Sequence, residues 1–152
     1  MSGYAKAYLM RLRHLNARIN TLLDKSWAHK EAAGRATSRL TATRVSGTSN
    51  HSQVEDNVIR YIMAEQQADR LIDEFVDAKR EAKRLIEQID AERFRVVLTA
   101  RYIDLLDWEG VRQVMRPLYG ERLSIQTVYN VHGYALLAFE KILENQNLTA
   151  RE

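Results

Sequence analysis

The chain has 152 residues, a net charge of +3, one proline, six glycines and no cysteine. Without thiols there is no disulfide framework and no thiolate metal site or nucleophile, which suits a reducing cytoplasm. No apolar run approaches the roughly 20 residues of a membrane span, and the interrupted, basic start lacks the apolar core of a secretory signal.

Few helix breakers and short β-branched runs predict an all-α fold. The net charge becomes informative once it is divided. Residues 1–53 carry nine basic and two acidic side chains, residues 54–90 six and ten, and residues 91–152 eight of each, so the segments carry +7, −4 and 0. A basic segment before an acidic one suits two complementary helices, or a basic arm that faces phosphate.

From Tyr4 to about Arg35 the pattern is helical. Tyr8, Leu12, Leu15, Ile19, Leu22, Ser26 and His29 recur by threes and fours, which makes an a/d seam. Trp27 lies beside the end of that seam. His14, His29 and His51 each lack a second ligand at metal spacing, so no metal is expected at any of them.

Residues 36–53 are rich in Ser and Thr and show no sustained period, which predicts a flexible loop. Ser52 with Glu55 reads as a capping box that opens a second helix. That helix is expected to run to about Asp90, on the order of 55 Å at about 1.5 Å per residue. Its seam is Val58, Tyr61, Glu65, Ala68, Ile72, Phe75, Lys79, Ala82, Ile86 and Ile89, with Ile62, Leu71, Val76 and Leu85 widening the stripe. So long a stripe needs the first helix, a second copy of the chain, or both to cover it. Residues 1–90 are thus expected to form a helical hairpin that dimerises or docks, and residues 91–152 a separate unit.

Asp90 is the expected N-cap of a third helix that carries Val96, Val97, Ala100 and Tyr102 and ends near Asp104. Asp107 is expected to cap a short helix through Trp108 and Val111, which Pro117 stops. Gly120 provides a positive φ in the connection. Ser124 then caps a helix whose apolar face is Ile125, Val128, Val131, Ala135, Leu136, Phe139, Ile142 and Leu143. The tail from Asn145 is expected to fray.

Leu98 to Asp104, Trp108-Glu109-Gly110-Val111, Ser124 to Tyr129 and His132 to Leu136 together resemble the region-4-like helix-turn-helix of sigma factors. More closely they resemble the phage regulators called ArpU-like and RinA-like, which join a long helical hairpin to such a module. The resemblance covers most of the chain. It implies a phage or prophage protein in a bacterial cytoplasm that binds double-stranded DNA and acts with host RNA polymerase on late transcription, as a homodimer or higher homo-oligomer. Two features depart from the family: Met115 to Ser124 is a longer connection than its short turn, and Gly110 stands where a better helix former is expected.

In such a module the first turns of the second helix enter the major groove. Gln126 and Asn130 share one face and can each address an adenine edge, and Arg122 a guanine or a phosphate. Ser124, Thr127 and Tyr129 complete the face, and Arg112 and Arg116 flank it, suited to backbone phosphates. No Gly-rich phosphate loop, HExxH pair or Ser-His-Asp set can be placed, so the reading is a non-enzymatic protein without a cofactor. Two rivals are a DNA-packaging adaptor like a terminase small subunit, and a structural helical oligomer.

Overall fold

The computed structural model describes residues 3–42 and 48–149. Every element among them is helical, in the order α1 (Gly3–Ala42), α2 (Thr48–Ile86), α3 (Glu92–Leu98), α4 (Trp108–Tyr119) and α5 (Ile125–Thr149). The chain is all-α, and two helices of 40 and 39 residues open it. Of the stretch 36–53 expected as a loop, residues up to Ala42 belong to α1 and those from Thr48, Ser52 among them, to α2, while 43–47 lie outside the described residues.

The chain divides into two compact units, and the long helices contribute to both. One is Met1–His14 with Val76–Glu152; the other is Leu15–Phe75. The sequence reading placed its boundary near residue 90.

The first unit has a layered core. Ala5, Leu9 and Leu12 of α1 and Ala82, Leu85 and Ile86 of α2 are buried there, with Val97 and Leu98 of α3, Val111 and Met115 of α4, and Val128, Ala135 and Phe139 of α5. Helix α3 packs on α4 and α5, and α4 packs on α5. Tyr8 and Phe139 hold their rings 5.7 Å apart in a tilted pair. Full burial of a side chain as large as Phe139 contributes about 1.5–3 kcal/mol.

Helix α2 stops at Ile86, short of the expected Asp90. Ala91, rather than Asp90, occupies the N-cap of α3 and makes no side-chain cap bond. The guanidinium of Arg95 reaches back instead, donating to the carbonyls of Ile89 and Asp90. After Leu98 the helix widens into a π-turn over Thr99–Ile103. Asp104 N–H then donates to Thr99 O at 2.9 Å and Leu106 N–H to Ala100 O at 3.0 Å. Leu105 between them has φ +57°, a left-handed conformation that costs a non-glycine residue about 1–2 kcal/mol.

Two arginines fix this bend. Arg13 donates to Arg101 O at 2.8 Å and to Leu106 O at 3.3 Å, while Arg101 donates to Leu106 O at 2.9 Å. Burial and then the neighbouring Arg13 charge lower the Arg101 pKa, yet its guanidinium finds the Trp108 ring face 4.3 Å away. A cation on an indole face regains part of what desolvation removes.

In the second unit a groove has lining residues from both α1 and α2, so the two helices lie side by side. Leu15, Ile19, Ser26 and Ala33 of α1 and Ala64, Ala68 and Leu71 of α2 are buried. The seam of α1 is thus seen as expected at Leu15, Ile19 and Ser26. On α2, Ile62 was expected within the stripe and is exposed, as are Ile59 and Met63. A single neighbouring helix covers a narrower arc than the stripe occupies. Trp27 is 64 % exposed.

Candidate nucleic-acid interface

Helix α4 begins where the sequence puts it. The Asp107 carboxylate accepts from Gly110 N–H at 2.7 Å, which satisfies one of the free donors of the first turn. A Cβ at Gly110 would lie 3.1 Å from the Asp107 carboxylate and 3.2 Å from Leu106 Cβ. The glycine therefore makes room for the cap, which offsets its poor helix propensity.

Pro117 does not stop α4. The helix runs on to Tyr119 and closes with Gly120 N–H on Arg116 O at 2.7 Å, with Gly120 at φ +93°. Proline removes a single hydrogen bond when it stands this near a C-terminus, and the two residues after it still complete the turn. The connection is consequently only Gly120–Ser124, and the long link expected from Met115 becomes a short turn between two helices.

Helix α5 starts on Ser124, whose Oγ accepts from Thr127 N–H at 3.1 Å and lies 2.9 Å from Thr127 Oγ1. Beyond this cap Gln126 and Asn130 stand exposed, and Gln126 Nε2 donates to Asn130 Oδ1 at 3.1 Å. The bond orients both amides and leaves the Gln126 oxygen and the Asn130 nitrogen outward, one acceptor beside one donor. An adenine edge in the major groove presents the complementary pair.

Tyr129 is anchored at its ring and 42 % exposed. It meets Trp108 edge-on at 4.9 Å, and His132 meets the same indole at 4.9 Å. Such aromatic pairs add about 0.5–1.5 kcal/mol beyond burial. His132 Nε2 lies 2.8 Å from the Tyr102 hydroxyl. Burial, and then the Lys6 and Arg101 charges, push the His132 pKa down to about 4. Burial raises that of Tyr102. Both side chains are therefore neutral at neutral pH, a hydrogen-bonded couple that ties the π-turn to α5.

The flanking arginines differ. Arg122 is exposed on the turn, with no polar partner among the described residues. Arg112 is held by Glu109, with Nε 3.0 Å from one carboxylate oxygen, and it also donates to Leu123 O at 3.3 Å. That bond lowers the Glu109 pKa and raises that of Arg112. Arg116 is half-buried, and its Nε has no partner. The face thus brings together Ser124, Gln126, Thr127, Tyr129 and Asn130, with Arg122 at its edge, while Arg112 serves the turn.

Sequence reasoning missed Glu109 as the partner of Arg112. The signal was there, since Glu109, Arg112 and Gln113 stand at i, i+3 and i+4, and Gln113 Nε2 also donates to Glu109 at 3.1 Å. It also missed Arg13, which nothing local connects to residue 101. Among the described residues no group of His, Cys, Asp or Glu is placed to hold a metal ion, and no helix is long and apolar enough to cross a membrane.

Residues 35–140 match the family model DUF1492, described as a protein of unknown function. The chain belongs to the DUF1492 family. No curated protein and no solved structure matches it. The family match takes in α2, α3, α4 and most of α5, so the whole candidate face lies within it.

Proposed function

We propose that this DUF1492 protein is a sequence-specific DNA-binding regulator of transcription, of the phage late-gene type that its ArpU-like and RinA-like features suggest. On this reading it works in the bacterial cytoplasm as a homo-oligomer with host RNA polymerase. The observation that carries the reading is the Gln126–Asn130 amide pair, held on the first turns of a capped helix that follows another helix after a short turn. That is where a helix-turn-helix places its base-reading side chains. Arg122 at the turn and the free N–H groups at the start of α5 suit backbone phosphates.

The test is selection of bound genomic fragments by the purified chain, followed by affinity measurement on the enriched site and on random duplex. Gln126→Ala and Asn130→Ala should each cost about 1–3 kcal/mol on the enriched site and little on random DNA. Equal losses on both would remove the two residues as base readers. Enrichment at a packaging start rather than at a promoter would favour the adaptor reading, and the absence of any enrichment would leave a helical structural protein.

A further inference from the structure

Residues 91–152 have no net charge, whereas proteins that hold DNA usually neutralise several of its phosphates. Within the second unit, a groove of about 410 Å³ between α1 and α2 is lined by Lys25, His29, Arg60 and Arg70, together with Gln66 and Gln67. No carboxylate lines it. This is notable on α2, because residues 54–90 carry ten acidic against six basic side chains. The two basic residues that α2 supplies between 54 and 75 are Arg60 and Arg70, and both face this groove. Lys25 and His29, one helical turn apart on α1, face it from the other side. None of the four has a polar partner among the described residues.

We propose that this groove is a binding site for the phosphate backbone of nucleic acid. Lys25, Arg60 and Arg70 offer N–H donors and positive charge, and the His29 ring adds a further N–H donor. The glutamine amides add neutral donors. Arg60 and Arg70 are ten residues apart, which spans about 15 Å of helix. That is too long for a single phosphate group, and it reaches across more than one phosphate along a strand of a duplex. The site therefore takes an extended polyanion. It requires no base readout, so it would act equally on every sequence. In its biological setting it supplements the α5 face of the preceding reading, but it stands on different residues and can be tested apart from it.

The test uses the full chain with Lys25→Gln, Arg60→Gln and Arg70→Gln combined, bound to a random DNA duplex over a range of salt. Loss of three phosphate contacts should reduce the slope of log K against log salt by about 2.7 and weaken binding at low salt. The conservative set Lys25→Arg, Arg60→Lys and Arg70→Lys should keep the wild-type slope. In the unsubstituted chain, duplex should slow acylation of the Lys25 amine; this reading needs no variant to fold. An unchanged slope in the glutamine variant, no protection of Lys25, or no binding of duplex at low salt would each overturn the site. Binding of pyrophosphate with no binding of duplex would overturn the nucleic-acid assignment. If the groove variant loses slope while Gln126→Ala and Asn130→Ala change nothing, the groove stands and the α5 reading falls; the reverse result removes the groove alone.

Discussion

Tyr102, Phe139, Met115 and Val128 are sealed in the unit that holds the candidate interface. In the unit Leu15–Phe75, four of the buried positions are Ser26, Ala33, Ala64 and Ala68, and the larger ones are Leu15, Ile19 and Leu71. Small residues let two helices approach closely, but each removes little apolar area from water. The same unit leaves Leu23, Trp27, Ile59, Ile62 and Met63 exposed. One region is closed by its own side chains on several sides. The other is a two-helix layer with one covered face, and its basic groove and its apolar residues both remain open to solvent. The rigid placing of amides belongs to the first arrangement, and surface available to other molecules to the second.

The strongest way to break this contrast is to truncate one core residue in each unit. Phe139→Ala should cost about 3–5 kcal/mol, and Leu71→Ala about 2–3 kcal/mol, in denaturant unfolding. Equal costs would mean that the two-helix layer is packed as tightly as the other unit.

Acid sharpens the comparison, because His132 belongs to the first unit alone. Its folded pKa of about 4 lies below its ordinary 6.5, so the unfolded chain binds the proton more readily. The stabilisation is fully present above pH 6.5 and is lost as pH falls from there toward 4. The whole effect is on the order of 3 kcal/mol. His132→Phe should flatten this slope in thermal melts recorded across that window, and a slope that persists would assign the acid sensitivity to other groups. The smallest change is Asp107→Ala, which removes the cap of α4 and should cost about 1 kcal/mol in the same melts. No loss would mean that water replaces the carboxylate at Gly110 N–H.

Much of this was legible in the sequence where the cause is local. Asp107 and Ser124 bond three residues onward, and short polar side chains before an apolar period announce such caps. Leu12, Leu15 and Ile19 declared their seam through spacing alone. The stripe of α2 was read too wide at Ile62, because periodicity reports which residues share a face and not how much of that face a neighbour covers. Pro117 misled because its cost depends on how many turns remain after it. The Arg13 bonds to Arg101 and Leu106 join residues 88 and 93 positions apart, and no local pattern encodes such a pairing. The hydrogen bond between the Gln126 and Asn130 amides was half visible: their shared face could be read, but not that each fixes the other.

Arg13 also joins stretches of the chain that are made at different times. The unit with the interface is discontinuous, since its first fourteen residues are separated from the remainder by the whole of Leu15–Phe75. During synthesis Tyr8 and Arg13 emerge well before their partners Phe139, Arg101 and Leu106. The bend at Leu105 gains its Arg13 staple only once residues 101–106 have been made, so closure here is a non-local event. A fragment that starts at residue 91 would lack that staple and the Tyr8 ring against Phe139. The candidate reading head is in this sense a joint product of two distant stretches of the sequence.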